Sequence, residues 1–121
     1  MSESEDRFFA TVAARQLVRA SVRAIVIDGD RVLLQRPADA TPEHHYGFIG
    51  GEYEVGDTFE SRLRQEIDEE TNARLLYWEY LLVAENRFVH NDHRIHALEH
   101  YLLAVIDRAD VTSREAHLVQ E

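Results

Sequence analysis

The chain has 121 residues, of which 45% are hydrophobic, and it contains no cysteine. Its 23 acidic and 13 basic side chains give a net charge of −10. The length predicts a single domain over residues 1–121, and the charge argues against binding to nucleic-acid polymers or anionic membranes. Without cysteine, disulfides and thiolate chemistry are excluded. No apolar run approaches transmembrane length and no signal peptide is visible, so we expect a cytoplasmic protein.

The first third of the chain predicts a terminal segment followed by a β-hairpin. Residues 1–6 are polar and acidic, and we expect them to be frayed. Residues 7–15 fit either a short helix or a first strand. Apolar residues alternate along residues 17–27, and residues 31–36 read as the return strand after an Asp-Gly-Asp turn. A loop with both prolines follows, and residues 46–51 then alternate as a short strand does.

Residues 50–73, GGEYEVGDTFESRLRQEIDEETNA, predict a glycine-rich turn that leads into a helix. Thr58 is a good N-cap, with Asp57 placing negative charge just before the helix. Asn72 tolerates left-handed backbone geometry and can end the helix. Three apolar residues recur every fourth position and predict one buried stripe: Phe59, Leu63 and Ile67.

Three glutamates form a second stripe on the same predicted helix. Glu66, Glu69 and Glu70 stand at i, i+3 and i+4, so a helix places them side by side, where like charges repel. A hard divalent cation is the usual partner of clustered carboxylate oxygens. Taken alone, however, an E-x-x-E-E fragment is more often a solvated charged face.

The remaining residues predict a strand-rich second half. Residues 74–90 form either two strands or one bent strand, and Asn91-Asp92 predicts a turn. Residues 93–106 return as a strand, and a further element starts near residue 113.

The segment 50–73 resembles the Nudix box, usually written G-x5-E-x7-R-E-U-x-E-E-x-G-U with U an aliphatic residue. Gly51 occupies the first glycine, and the three glutamates of the second stripe follow at the spacing of the family's metal ligands. Ile67 and Ala73 stand at the two aliphatic positions.

Four positions depart from the family pattern. Asp57 replaces a glutamate, Asn72 replaces the last glycine and, just upstream, Ile49 replaces a proline. Gln65 replaces the arginine that orients the glutamates in the family, and glutamine offers only neutral hydrogen bonds. We therefore expect Gln65→Arg to raise turnover, unless another arginine such as Arg64 already fills the role.

The resemblance implies an α/β fold, in which a mixed β-sheet carries the box helix on one face. The family usually continues with a second helix, which we expect to be absent or truncated in this chain. That would leave apolar sheet surface in need of a cover, so we expect a homodimer.

The resemblance also implies metal-dependent hydrolysis of a nucleoside diphosphate linked to another group. The cofactor would be Mg²⁺ or Mn²⁺, held by Glu66, Glu69 and Glu70 with the backbone carbonyl of Gly50. One of these carboxylates, or Glu99, would act as the general base, with Glu115 as another extra carboxylate outside the box.

Substrate contacts are expected from a strand-end arginine and from aromatic residues, although solvation and core packing explain such residues equally well or better. The candidates are Arg36, Tyr46, Phe48 and Trp78. An alternative function is a nucleotide-binding module of the same fold that hydrolyses weakly or not at all, which Gln65 and the missing helix favour. An all-helical pyrophosphohydrolase is disfavoured by the alternating segments on both sides of the helix.

Overall fold

The computed structural model describes residues 2–36 and 46–107, together with the backbone of residues 116–120. The elements follow one another as α1 (Glu3–Ala14), β1 (Val18–Ile25), β2 (Ile27–Asp28), β3 (Arg31–Gln35), β4 (Gly47–Glu52), α2 (Phe59–Thr71), β5 (Leu75–His90), β6 (His93–Ile106) and β7 (Ala116–Gln120). No helix among these residues is long and apolar enough to cross a membrane.

The described strands form one sheet in the order β2-β3-β4-β1-β6-β5, and β7 pairs with β3. Strand β1 lies antiparallel to β4 and parallel to β6, whereas the other pairs are antiparallel. The predicted α/β fold with a mixed sheet is therefore confirmed. In the described part of the C-terminal segment, residues 116–120 form a strand and not a helix.

The first predicted hairpin is only partly correct, because the strand predicted over residues 17–27 breaks after Ile25. Strand β1 pairs with β4 and β6, and only the two-residue β2 forms the hairpin with β3. The fully buried Val22 and Ala24 explain this, since they place β1 in the middle of the sheet. The predicted turn is present, with Gly29 at φ +63°.

The long second hairpin consists of β5 and β6, and its turn lies where it is predicted. Asn91 and Asp92 both have positive φ, of 48° and 65°, as two-residue hairpin turns require. The segment before the turn is one strand with two irregularities in its register, between Leu75 and Tyr77 and between Tyr80 and Leu82. It is therefore a single bent strand.

The main core lies between α2 and the sheet. Leu63 and Ile67 are fully buried, and Phe59 packs against the same cluster, so the predicted apolar stripe faces the sheet. Each such buried aliphatic side chain contributes about 1.5–3 kcal/mol. This stripe fixes the rotation of α2 and so decides where its glutamates point. The sheet and the ends of its flanking segments supply the rest of this core: Val22, Ala24, Val26, Leu33, Ile49, Ala73, Leu75, Leu102 and Ala104.

The N-terminal segment corrects the expectation of a frayed end. Helix α1 begins at Glu3, and Ser2 caps it by accepting a hydrogen bond from the backbone N–H of Glu5 at 3.2 Å. The Oδ1 atom of Asp6 lies 2.7 Å from Nε2 of the buried His90, at the far end of β5. Tertiary contacts therefore order residues that are polar enough to read as a loose terminus.

Candidate active site

Helix α2 begins and ends at the residues that its sequence predicts. The Thr58 side chain accepts a hydrogen bond from the backbone N–H of Ser61 at 3.0 Å, and the Ser61 hydroxyl accepts one from the Thr58 N–H at 2.8 Å. This reciprocal capping box satisfies two backbone donors at the helix start. At the other end, Asn72 adopts the left-handed conformation with φ 57°.

Arg62 lies at the centre of the turn that precedes α2, with only 10% of its side chain exposed. Its Nε donates to Asp57 Oδ2 at 2.8 Å, and its Nη2 donates to Glu54 Oε2 at 3.4 Å. Its Nη1 lies 3.9 Å from Glu66 Oε2. The hydrogen bond from Arg62 is the main cause that lowers the pKa of Asp57, and the backbone N–H of Glu54 adds to it.

Gln65 stands where the family has the arginine that orients the glutamates, and Arg64 is the arginine suggested to replace it. In the described part of the chain, neither of their side chains bonds to Glu66. Gln65 donates from Nε2 to Glu69 Oε1 at 2.9 Å. Arg64 is half-exposed and donates to Glu60 at 3.3 Å and to the carbonyl of Leu75 at 3.2 Å. The suggestion that Arg64 fills the role is therefore wrong. Sequence reasoning missed Arg62, although a position three residues before Gln65 lies on the same helix face.

Glu66 is a buried carboxylate, with a residue exposure of 8%. A Cβ atom added to Gly51 would lie 2.2 Å from Glu66 Oε1, so only glycine leaves room for this side chain. Burial raises the pKa of Glu66, and the charge of Glu69 raises it further, while Arg62 and Arg23 act in the opposite direction. The protein therefore holds this carboxylate in a place where its negative charge is incompletely balanced.

Glu69 and Glu70 follow on the same helix, Glu69 exposed and Glu70 half-buried. Glu69 lies close enough to Glu66 to raise its pKa both by charge and through a hydrogen bond. Within residues 2–36 and 46–107, no three side chains of His, Asp or Glu are already grouped as a finished metal site. The structure brings Glu66 and Glu69 together, and Glu70 shares their side of the helix by its spacing.

Gly50 lies where β4 approaches β1 most closely. A Cβ atom at this position would lie 2.0 Å from the carbonyl oxygen of Val22, so a side chain would push the two strands apart. The Gly50 carbonyl accepts a hydrogen bond from Gln35 Nε2 at 3.4 Å. This is a long hydrogen bond, and a carbonyl oxygen has a second lone pair for another partner.

Glu99 lies on β6 and connects to the helix glutamates through Arg23, which sequence reasoning also missed. Arg23 Nε is 3.5 Å from Glu99 Oε1, and Arg23 Nη1 donates to the Phe48 carbonyl at 3.4 Å. Arg23 also acts on the pKa of Glu66. Its signal in the sequence is a charged residue between Val22 and Ala24 in a central strand.

The predicted aromatic candidates occupy different places. Phe48 contacts Tyr101 edge-on, with ring centroids 5.8 Å apart, and burial next to Glu99 raises the pKa of Tyr101. The guanidinium of Arg36 lies 5.8 Å from the ring centroid of Tyr46. Trp78 packs against the main core and donates to Glu60 at 2.8 Å, which is a structural arrangement. The remaining candidate, Glu115, lies outside the described residues.

Comparison with solved structures shows the same fold in proteins described as Nudix or MutT proteins. A MutT NUDIX hydrolase from Burkholderia pseudomallei is 21% identical with a TM-score of 0.64, over 86% of this chain and 84% of that one. A MutT protein from Bacillus halodurans is 16% identical with a TM-score of 0.61, over 85% and 69% of the two chains. A Nudix hydrolase family member from Chromobacterium violaceum is 18% identical with a TM-score of 0.62, and the alignment covers 87% of this chain but only 63% of that protein.

A search of curated proteins finds no match. In contrast, a family model described as the NUDIX domain matches residues 17–120, which include the glycine turn, all of α2 and both strands that carry Arg23 and Glu99. The chain therefore belongs to the NUDIX family.

Proposed function

We propose that this domain hydrolyses a nucleoside diphosphate linked to another group, using Mg²⁺ or Mn²⁺. Family membership supports this general class of reaction. The observation that carries the proposal is the position of Glu66, a buried carboxylate held between Gly51 and Arg62 with Glu69 next to it. A cytoplasmic location stays a prediction of the sequence.

The side chains present fit a hard divalent cation. Magnesium and manganese prefer carboxylate and carbonyl oxygens, and α2 offers such carboxylates on one stripe. Burial and the neighbouring charge of Glu69 raise the pKa of Glu66, and a cation would offset both effects. Glu66, Glu69 and Glu70 would hold the metal, with the carbonyl of Gly50. When bound, it would neutralise phosphoryl charge and lower the pKa of a coordinated water.

The protein's own residues would position the substrate on the sheet. Arg23 lies between Glu99 and the carbonyl of Phe48, and it would offer its guanidinium to a phosphate of the substrate. Such a cation is needed because the chain carries a net charge of −10. Phe48, edge-on to Tyr101, offers an aromatic surface for a base, and Arg36 with Tyr46 offers a second contact region.

The general base would be a carboxylate near the attacked phosphorus. Glu99, which pairs with Arg23, is one candidate, and the helix glutamates are the others. Replacement of Glu99 by glutamine would distinguish them. A loss of turnover with unchanged metal binding would identify Glu99 as the base, whereas weaker metal binding would identify it as a ligand.

The alternative is a module that binds a nucleotide without hydrolysing it. Gln65 favoured this alternative, because it removes the arginine that orients the glutamates. In the structure Arg62 brings a guanidinium to the same group of acids. This removes one of the two arguments for the binding module, the other being the expected absence of the second helix. The hydrolase remains the better-supported function.

A substrate screen tests the proposal. The protein is incubated with a set of nucleotide pyrophosphates and Mg²⁺ or Mn²⁺, and release of phosphate or pyrophosphate is measured. The variant Glu69→Gln, which removes a candidate metal ligand, should lose this release. Glu60→Gln is its matched control, because it makes the same chemical change on the same helix at a residue that contacts Arg64 and Trp78. Binding of nucleotides without release of any product would favour the binding module.

We also propose a homodimer that uses strand β5. This strand is at the edge of the sheet and, among the described residues, pairs only with β6. Six of its large side chains are 41–59% exposed: Leu76, Tyr77, Tyr80, Leu81, Leu82 and Val83. Long apolar edge strands are usually covered, and a second copy paired antiparallel would cover this one. Light scattering that shows a monomer at all concentrations would contradict the dimer.

A further inference from the structure

We propose that Arg62 has taken over the orienting role of the family arginine, and that it sets the metal affinity of this site. The inference rests on the proposed function, since it concerns the same glutamates. Arg62 is a positioning residue and not a catalytic one, because it contacts Asp57, Glu54 and Glu66 and acts through them.

The first observation is the number of acids that Arg62 joins. Its buried guanidinium is bonded to Asp57 and Glu54 in the turn before α2 and lies 3.9 Å from Glu66 within the helix. The turn follows directly from Gly51, whose Cα leaves the space that the Glu66 carboxylate occupies. The guanidinium of Arg62 therefore connects the turn before α2 with Glu66 on the helix. A planar guanidinium with several donors suits this role better than the single ammonium of a lysine.

The second observation concerns the residue that replaces the family arginine. Gln65 donates to Glu69 at 2.9 Å and thus serves a different glutamate from the one that Arg62 approaches. Positions 62 and 65 lie one turn apart on one helix face. The positive charge has therefore moved by one helical turn toward the N-terminus. Asp57, which stands where the family has a glutamate, forms an ion pair with Arg62.

Metal affinity is the property that this arrangement controls. Groups that orient metal ligands from outside the coordination shell commonly change affinity or activity by about 10–100-fold when they are removed. Arg62 fits this description, because it fixes Glu66 without being a candidate ligand itself. A purely structural role for Arg62 would lower stability and leave the metal affinity of the folded protein unchanged.

An exchange of the two side chains tests the inference. Mn²⁺ binding is measured by calorimetric titration for the wild type, Arg62→Gln and the exchange variant Arg62→Gln/Gln65→Arg. We expect Arg62→Gln to weaken Mn²⁺ binding at least about tenfold and the exchange to restore most of it. Arg64→Gln is the matched control, since it removes a half-exposed arginine of the same helix that contacts Glu60. It should bind Mn²⁺ as the wild type does.

Arg62→Lys keeps the experiment decisive if Arg62→Gln does not fold. It keeps the charge but loses the planar fork, so we expect an affinity between those of the wild type and Arg62→Gln. Arg62 variants that fold, as shown by circular dichroism, and bind Mn²⁺ with wild-type affinity would overturn the inference and leave the proposed function intact. A wild type that does not bind Mn²⁺ at all would reject both.

Discussion

The two ends of α2 treat the same kind of side chain in opposite ways. At the start of the helix, a hydrogen bond from Arg62 lowers the pKa of Asp57, and hydrogen bonds from Trp78 and then Arg64 lower the pKa of Glu60. In the second half, burial and a like charge raise the pKa of Glu66. Glu69 accepts a hydrogen bond from a neutral amide, that of Gln65. The surroundings therefore favour the charged form of Asp57 and Glu60 at the first end, and they disfavour the charged form of Glu66 at the second.

The helix dipole makes this difference more informative. Carboxylates stabilise a helix near its N-terminus and destabilise it near its C-terminus, where lysine or arginine is favoured. Helix α2 has no basic residue in its last turn and carries Glu69 and Glu70 close to that end. A helix selected for stability alone would place them elsewhere. Acids at this end of the helix therefore support the proposed cation site.

Removal of Glu69 from the second half of α2 should have the largest effect. For the wild type, Mg²⁺ or Mn²⁺ at a hundredfold excess over its dissociation constant should add about 2.7 kcal/mol to the free energy of unfolding. Glu69→Gln should abolish this gain and most of the hydrolysis, while stability without metal stays equal or rises because one repulsive charge is gone. Thermal melts with and without metal measure both effects.

Glu60→Gln is the control from the first turn of α2, and it should keep the full metal-dependent increase in the free energy of unfolding. If the wild-type melting temperature does not respond to either ion at millimolar concentration, the enzyme proposal is lost and the family and fold remain.

The two adjacent glycines should respond differently to the same added methyl group. Gly50→Ala places a Cβ against the backbone of β1, and such overpacking costs about 1–3 kcal/mol. Gly51→Ala meets the end of the Glu66 side chain, which can move, so stability should fall less while metal binding is lost. Urea denaturation and Mn²⁺ titration of both variants separate the two effects. Equal losses of stability would contradict this account of Gly51.

The pH dependence of stability should have opposite signs at the two ends of the helix. Native Glu66 holds its proton more tightly than unfolded Glu66, whose pKa is 4.5, so without metal its ionisation costs stability as the pH rises above that value. Glu66→Gln should therefore gain stability relative to the wild type as the pH rises above 4.5. Asp57 has a lowered pKa, so its contribution is present above 3.8 and is lost as the pH falls below it.

Urea midpoints of Glu66→Gln and Asp57→Asn, each compared with the wild type across this pH range, test these signs. A difference between wild type and Glu66→Gln that stays constant with pH would show that Glu66 is not perturbed.

Gln65→Arg should have the smallest effect. Since Arg62 already supplies a guanidinium to this group, a second arginine should change turnover by no more than about twofold, which corresponds to less than 1 kcal/mol. Steady-state kinetics on the substrate found by the screen measures this. A gain of fivefold or more, about 1 kcal/mol, would mean that Arg62 does not fill the role.

The sequence predicts those parts of the site that depend on local chemistry. Thr58 and Asn72 end the helix through their own backbone geometry, and the spacing of Leu63 and Ile67 alone decides which face is buried. The pairing of β1 with β4 and β6 was missed, because strand partners are chosen by distant residues. Arg23 was missed for a related reason, since Glu99 lies on a distant strand and only the folded chain brings the two together. The partners of Arg62 are close in sequence, but the conformation of the turn before α2 decides that they meet its guanidinium.

Helix α1 shows the opposite limit of local reasoning. Its first turn is acidic and polar, and it reads as a loose end unless Ser2, three residues before Glu5, is recognised as an N-cap. The contact of Asp6 with His90 and the packing of Phe9 against Phe88 come from the far hairpin. The cap can start the helix locally, but these contacts with the far hairpin are a property of the tertiary structure.

The parallel pairing of β1 with β6 also has a consequence for how the chain folds. Val18 pairs with His96 and Ile25 pairs with Leu103, so the central strand meets this partner only after most of the chain has been made. Contacts between such distant residues slow folding, because a long loop must close before they form. During synthesis β1 can pair with β4 first, but its other edge stays open until β6 is made, and an open strand edge favours misassociation. The same strand carries Arg23, so the pairing of Arg23 with Glu99 on β6 also depends on this long-range contact.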